Sequence, residues 1–226
     1  MEYEIKYAFK PENDLYIRNH LEFLCKKDQQ YYQNTIHSLY FDSASFKLAM
    51  EKASSDYLKT KVRVRWYTSK QTNESHSPRF LEIKAKIGSK RRKVRFKLPA
   101  EFDNLDQSGP NQNQTAYLMH KIQEISEDKA TFDLEPAIYV SYDRSRYYEP
   151  YSNSRISLDT AIRCQGISNY SAVRNRQIWL DEWVLEAKGS EQHLPTILRG
   201  TLNGYVQKAA FSKYYESYKL LNFYEQ

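Results

Sequence analysis

At 226 residues, with 40% hydrophobic residues, 20 tyrosines and only 6 glycines, the chain can bury a sizeable core and lies far from the low-complexity sequences that stay disordered. Its formal net charge of +6 and pI near 9.0 favour acidic partners, among which nucleic acid, anionic membrane and polyanionic metabolites all qualify. Cys25 and Cys164 stand outside any C-x-x-C spacing, which argues against a disulfide framework and a zinc site; with no leader-like start and no apolar run approaching roughly 18 residues, a soluble cytoplasmic protein without a membrane span is expected.

Glu2 to Phe9 alternates as a first strand, and Pro11 to Asp14 forms a turn able to cap a helix from about Leu15 to Lys27. Tyr31 and Tyr32 open a second extended region in which Thr35 to Phe41 predicts a strand, after which Asp42 and Ser43 cap a short helix through about Met50. Lys61 to Tyr67 and Phe80 to Lys86 read as strands around a polar, mobile loop, Ser69 to Pro78, and Gly88 and Ser89 turn the chain back as Arg91 to Leu98. Pro99 to Gln114 reads as a surface connection and Thr115 to Ser126 as a helix. A long strand follows from Ala137 to Arg146, with Pro136 at its start, then a turn-like connection from Tyr147 to Ser154. Arg155 to Arg163 and Gln177 to Lys188 read as strands, and the chain is mainly helical from Glu191 to its end. No repeat or linker divides it, so one domain over residues 1–226 is expected.

Residues two apart share a side of a strand, and here the polar sides gather like charges. Glu2, Glu4 and Lys6 lie opposite Tyr3, Ile5 and Tyr7; Arg63 and Arg65 lie opposite Val62, Val64 and Trp66. Glu82, Lys84 and Lys86 oppose Leu81 and Ile83, while Lys93, Arg95 and Lys97 oppose Val94, Phe96 and Leu98. Glu186 and Lys188 oppose Leu185 and Ala187. Any one such strand is an ordinary solvated face. Several together would repel unless an anion lay between them, which predicts a sheet closed around a cationic lumen, its apolar exterior covered by the helices. Glu4, Glu82, Asp159 and Glu186 could pair with neighbouring cations or hold a divalent metal.

Glu2, Glu4 and Lys6 also form the E-x-E-x-K pattern that opens triphosphate tunnel metalloenzymes. The further series His37-Ser-Leu-Tyr-Phe-Asp-Ser43, Lys61-Val-Arg-Val-Arg-Trp-Tyr67, Phe80-Leu-Glu-Ile-Lys84, Lys93-Val-Arg-Phe96, Tyr142-Asp-Arg144, Arg155-Ile-Ser-Leu-Asp-Thr160, Leu185-Glu-Ala-Lys188 and Phe211-Ser-Lys-Tyr214 spans almost the whole chain. In that order it resembles the catalytic domain of the vacuolar transporter chaperone (VTC) branch of that superfamily, the polyphosphate polymerases. The resemblance implies an α+β fold with a closed antiparallel β-barrel covered by helices, the triphosphate tunnel fold. It implies Lys6, Arg63, Arg65, Lys84, Arg144 and Lys188 at the reacting phosphates, and Lys93, Arg95, Arg155 and Lys213 along the substrate. Tyr142 and Ser212 would add neutral hydrogen bonds, and Glu186, helped by Glu4, would hold Mn²⁺ or Mg²⁺. The chain departs from the pattern at Ala210, where a basic residue is usual; the nearest lysine is Lys208.

The expected activity is metal-dependent phosphoryl transfer from a nucleoside triphosphate to polyphosphate inside the tunnel. Two alternatives stand beside it: attack by water, giving a triphosphatase or polyphosphatase, and a non-catalytic module that binds polyphosphate or nucleic acid. Carboxylates on the cationic sides, at Glu4, Glu82 and Glu186, speak against a nucleic-acid platform. His37 reads as a structural residue, Tyr214, Tyr215 and Tyr218 as helix packing, and Lys90, Arg91 and Arg92 as a solvated hairpin tip or a guide for polyanions. Arg146 and Arg163 belong either to the lumen or to surface ion pairs.

Overall fold

The computed structural model describes residues 2–54, 57–70, 77–126, 133–167 and 176–223, and its polar–apolar alternations are drawn into one antiparallel sheet. The strands are β1 (Tyr3–Phe9), β2 (Lys26–Lys27), β3 (Gln33–Asp42), β4 (Leu58–Ser69), β5 (Phe80–Ile87), β6 (Lys90–Lys97), β7 (Glu135–Glu149), β8 (Ser154–Gly166), β9 (Ile178–Trp179), β10 (Trp183–Gly189) and β11 (Gln207–Lys208). The helices are α1 (Asp14–Leu24), α2 (Lys47–Ser54), α3 (Gln112–Ile125), α4 (Thr196–Leu202) and α5 (Lys213–Phe223), making the fold α+β. Hydrogen-bonded neighbours run β11-β1-β10-β8-β7-β3-β4-β5-β6, with β2 beside β7 and β9 beside β8.

That order has two ends, so the expected closed barrel is an open sheet. The segment that follows β11 runs beside β1 and reaches across the inner face toward β4, an interior strand already paired with β3 and β5. Ala209 N–H donates to the Lys6 carbonyl, Lys6 Nζ to the Phe211 carbonyl at 3.3 Å, and Lys61 Nζ to Ser212 Oγ at 2.8 Å. Strand β1 is therefore joined to β4 through side chains and this crossing segment, with no ladder between them.

The outer face is apolar, as alternation requires, and the helices cover it. Leu48 of α2, Phe102, Leu105, and Leu118 and Ile122 of α3 pack on Leu39, Phe41, Val62, Val64, Leu81 and Ile83. Ile17 and Leu21 of α1 and Leu198 and Leu202 of α4 pack on Tyr7, Phe9, Ile156, Leu158 and Leu185. Each fully buried aliphatic side chain contributes roughly 1.5–3 kcal/mol. The predicted surface connection from Pro99 to Gln114 is thus partly core, through Phe102 and Leu105. Asn111 and Gln114 form a reciprocal capping box that starts α3.

Helix α5 departs from the expected exterior cover. It packs on the inner face, where Tyr214 and Leu221 meet Ala8, Val140, Ile162, Cys164 and Val184, and the Tyr214 ring stacks on Tyr40 at 4.5 Å. The inner face is apolar at this end because a bulge changes the parity of β8. Ala161 adopts φ 50°, and the β7–β8 register slips between Ser141 and Asp143. Asp159 and Ile162, an odd number of residues apart, consequently share the inner side. Arg163, which simple alternation from Arg155 would turn inward, instead lies outside and donates to Ser141 Oγ.

Other boundaries shift for local reasons. Helix α1 stops at Leu24 because Cys25 is extended, and Lys26–Lys27 pair with Tyr147–Tyr148. Strand β7 runs to Glu149, whose carboxylate accepts the Tyr151 and Ser152 amides and closes the turn three residues later than its predicted start at Tyr147. The predicted Gln177–Lys188 strand divides into β9 and β10. Asp42 does cap α2, accepting the amides of Ser43, Leu48 and Ala49, although the helix begins only at Lys47. Residues 71–76, the middle of the predicted mobile loop, lie outside the described residues. Both cysteines are free and buried, and no described helix is long and apolar enough to cross a membrane.

Candidate functional site

The inner face and the start of α5 enclose a cavity of about 550 Å³. Strand β1 contributes Glu4 and Lys6, β10 Glu186 and Lys188, β7 Tyr142 and Arg144, and β3 Tyr40. From β4 come Lys59, Lys61, Arg63 and Arg65, from β5 Lys84 and Lys86, from β6 Arg91, Arg92 and Lys93, and from the start of α5 Ser212 and Lys213. Alternation accounts for the inward series on β4, and pairing register brings the other strands' charges beside it.

Carboxylates and hydroxyls behind the lining hold the innermost cations in place. Arg63 Nε and Nη2 donate to Glu82 Oε2 at 2.9 and 2.6 Å, and its Nη1 donates to the Tyr40 hydroxyl at 3.2 Å. Arg144 forks onto Asp159 at 2.6 and 2.7 Å, and Lys213 reaches the same carboxylate at 2.5 Å. Among the described residues Arg65 hydrogen-bonds the neutral Ser38 at 3.1 Å and Tyr142 at 3.4 Å, and its charge reaches Glu82 through space rather than through a bond. Lys188 lies 2.9 Å from Glu186 and 3.3 Å from Glu4; Lys6 lies 3.5 Å from Glu4 and 3.9 Å from Glu186. Such bidentate and charge-assisted bonds fix the direction of each guanidinium.

Burial raises the Glu186 carboxyl, but Arg144, Lys6 and Lys188 outweigh it and hold the group down at about 2. Glu4 is pushed up by burial and by Glu186, yet Lys6, Lys188 and Lys84 keep it below the usual carboxylate range. Burial and the surrounding cations lower Lys61 and Lys84 to about 8. Tyr40 is raised by burial but held at about 7 by Arg63, Arg65 and Lys61. Raising the pH through 7 to 9 therefore removes protons from two lysines and a phenol, and with them positive charge. Affinity for a nonhydrolysable triphosphate is expected to fall severalfold across that interval, by calorimetry; a constant affinity would contradict the placement of these groups.

Of the residues singled out in the sequence, Glu4, Lys6, Arg63, Arg65, Lys84, Lys93, Tyr142, Arg144, Glu186, Lys188, Ser212 and Lys213 share this cavity. Arg95 and Arg155 do not line it: Arg95 lies over the Phe80 ring, 3.5 Å from Glu82, and the exposed Arg155 donates to Glu2. Arg146 donates to Asn34 Oδ1 and the Tyr31 carbonyl. His37 is half-buried, its ring stacked on Trp66 and its nitrogens bonded to the Tyr139 and Thr68 hydroxyls, a structural setting. Lys208 bonds the Gln192 carbonyl and does not line the cavity, so it does not stand in for the basic residue missing at Ala210. Arg91 and Arg92 of the hairpin do line it. Sequence reasoning passed over Lys59, Lys61 and Tyr40. The first two share the parity of Arg63 and were open to the same argument, whereas Tyr40 follows only from its pairing with Arg63.

The sequence profile of the VTC domain family matches residues 2–222. No curated protein sequence matches the chain. Among solved structures, it is similar to a candidate adenylate cyclase from Bacillus halodurans, at 13% identity and TM-score 0.54, with 94% of each chain covered. A candidate adenylate cyclase from Vibrio parahaemolyticus aligns at 10% identity and TM-score 0.47, with 98% of each chain covered.

Proposed function

The chain belongs to the VTC domain family, and from that membership and the cationic cavity we propose that it transfers the γ-phosphoryl group of a nucleoside triphosphate to inorganic polyphosphate, acting in the cytoplasm. At the level of class, family and fold support a triphosphate-binding phosphotransferase or hydrolase. One observation carries the reading furthest: among the described residues, thirteen lysines and arginines but only two acidic residues line the cavity. That local excess of eleven positive charges, thirteen minus two, exceeds the net +6 of the whole chain, so the basic character of the sequence is concentrated at the cavity. A polyanion drawn inside suits that division; a nucleic-acid platform on the exterior does not.

Phosphoryl transfer depends on in-line positioning and on neutralising the oxygens around phosphorus, and needs no covalent nucleophile. Arg63, Arg65 and Arg144 are directed by their partners and would hold phosphate oxygens in fixed orientations, with Lys6, Lys84, Lys188 and Lys213 adding point charges. Tyr142 and Ser212 would supply neutral hydrogen bonds. Among the described residues no group of three metal-ligating side chains gathers. Glu186 and Glu4, both held ionised, nevertheless fit a Mn²⁺ or Mg²⁺ that takes its other ligands from phosphate and water. Bound there, such an ion would neutralise phosphate charge.

The test is incubation of the protein with ATP labelled at the γ-phosphate, with Mn²⁺ or Mg²⁺. Label in a polymer is expected; orthophosphate alone would favour the hydrolase, and binding without turnover a non-catalytic module. Glu186→Gln should lower the metal-dependent rate by at least about tenfold, the order expected for loss of a charged ligand interaction. Full activity at saturating Mn²⁺ would remove Glu186 from the site.

A further inference from the structure

At one mouth of the cavity the chain places an aromatic ring. Arg63, Lys61 and Lys59 line the cavity at intervals of two residues, and the same count sets Tyr57 on the cavity side, one step beyond Lys59. The β4–β5 ladder ends with Leu58 opposite Ile87, and the Gly88 amide donates to the Tyr57 carbonyl at 2.8 Å, carrying the pairing one residue farther. Tyr57 is 65% exposed, yet its ring has a fixed support. It lies against Gly88, where an added Cβ would stand 3.2 Å from the ring carbon Cε2. Gly88 adopts φ 61°, so glycine serves twice there, turning the hairpin and making room for the ring.

Distance limits what the ring meets. Tyr57 stands six residues from Arg63, about 20 Å along an extended strand. The phosphates of a nucleoside triphosphate held at Arg63 and Arg65 span only part of that interval, and its ribose and base span the rest. We propose that Tyr57 is a platform on which the base of the nucleoside triphosphate stacks, so that this mouth of the cavity favours nucleotides over inorganic tripolyphosphate. The assignment rests on the phosphotransfer reading for its ligand. A phenol ring presents its face to the face of any base and reads none of the hydrogen-bonding edges. The platform therefore accepts ATP and GTP alike, and prefers purines to pyrimidines only through their larger stacking area.

The experiment titrates the wild-type chain, Tyr57→Leu and Tyr57→Phe at fixed Mg²⁺ with a nonhydrolysable ATP analogue, with ribose 5-triphosphate and with inorganic tripolyphosphate. Tyr57→Leu is expected to bind the ATP analogue about tenfold more weakly, the order of one lost base–aromatic stack, and to bind the two ligands that lack a base within about twofold of wild type. Stacking is uncharged, so that loss should be the same at low and high salt, whereas phosphate contacts weaken with salt. Tyr57→Phe keeps the ring and should match the wild type throughout. Parallel losses for all three ligands, an unchanged affinity for the ATP analogue, or a phenylalanine variant as weak as leucine would each overturn the platform. Transfer from labelled ATP is measured separately. A base-selective loss in a protein that transfers no phosphate would sink the phosphotransfer reading and leave the platform standing; transfer by Tyr57→Leu at unchanged KM would do the reverse.

Discussion

Alanine at both Arg63 and Arg65 is expected to abolish triphosphate turnover and to weaken affinity for a nonhydrolysable triphosphate by at least about 100-fold, since each charged hydrogen-bonding group contributes roughly 1.5–3 kcal/mol. The two arginines differ in what else they do. Among the described residues the hydrogen bonds of Arg65 go to the neutral Ser38 and Tyr142, so Arg65→Ala should lose affinity with little change in stability. Arg63 neutralises Glu82, whose side chain is 3% exposed, and its removal leaves a buried carboxylate without its principal partner at a cost of roughly 3–5 kcal/mol. Pairing Arg63→Ala with Glu82→Gln should recover most of that stability while affinity stays low. Calorimetric titration and thermal melting of the set separate the two roles. Unchanged affinity in the double alanine variant would contradict the placement of both arginines.

The second large effect is expected at Asp159, which is fully buried and accepts both Arg144 and Lys213. Asp159→Ala leaves two cations in the cavity wall without their carboxylate, which should cost roughly 3–5 kcal/mol and lower the melting temperature by about 10 °C for a chain of this size. The same group makes stability depend on pH. Arg144 and Lys213 overcome the burial that opposes ionisation and hold Asp159 well below the usual carboxylate range, while Glu82 and Glu186 are held at about 2. Groups depressed in the folded state contribute fully above the unfolded value near 4 and lose that contribution as the pH falls toward their folded values. Urea midpoints should therefore drop most steeply between about 4 and 2, after a shallower decline from about 6.5 to 4 because His37, held at about 4 in the fold, takes up its proton first in the unfolded chain. Asp159→Asn should flatten the drop. A variant that kept the wild-type slope would show that this carboxylate carries none of it.

Alternation made the strands and most of the cavity legible, because a period of two separates Arg63 and Arg65 from Val62, Val64 and Trp66 without knowledge of any partner strand. It also carries the inward direction of Glu4, Lys6, Lys84, Glu186 and Lys188. The same rule fails where the backbone changes its count. One residue at the Ala161 bulge sends Arg163 outward and brings Ile162 and Cys164 inside, and nothing in a polar–apolar pattern announces an inserted residue. The place of α5 was equally hidden, because its tyrosines read as packing without saying which face of the sheet they pack on. Arg95 and Arg155 have the expected parity, but an aromatic ring claims one and Glu2 the other. Those outcomes depend on neighbours that only the folded chain brings together.

The contacts that cross the inner face also bear on what keeps the open sheet curved. Lys6, Lys61 and the crossing segment at residues 209–213 fasten β1 to β4, and most of those links are single side-chain hydrogen bonds. A few such bonds brace the curve of an open sheet, where a closed barrel would rely on one more ladder.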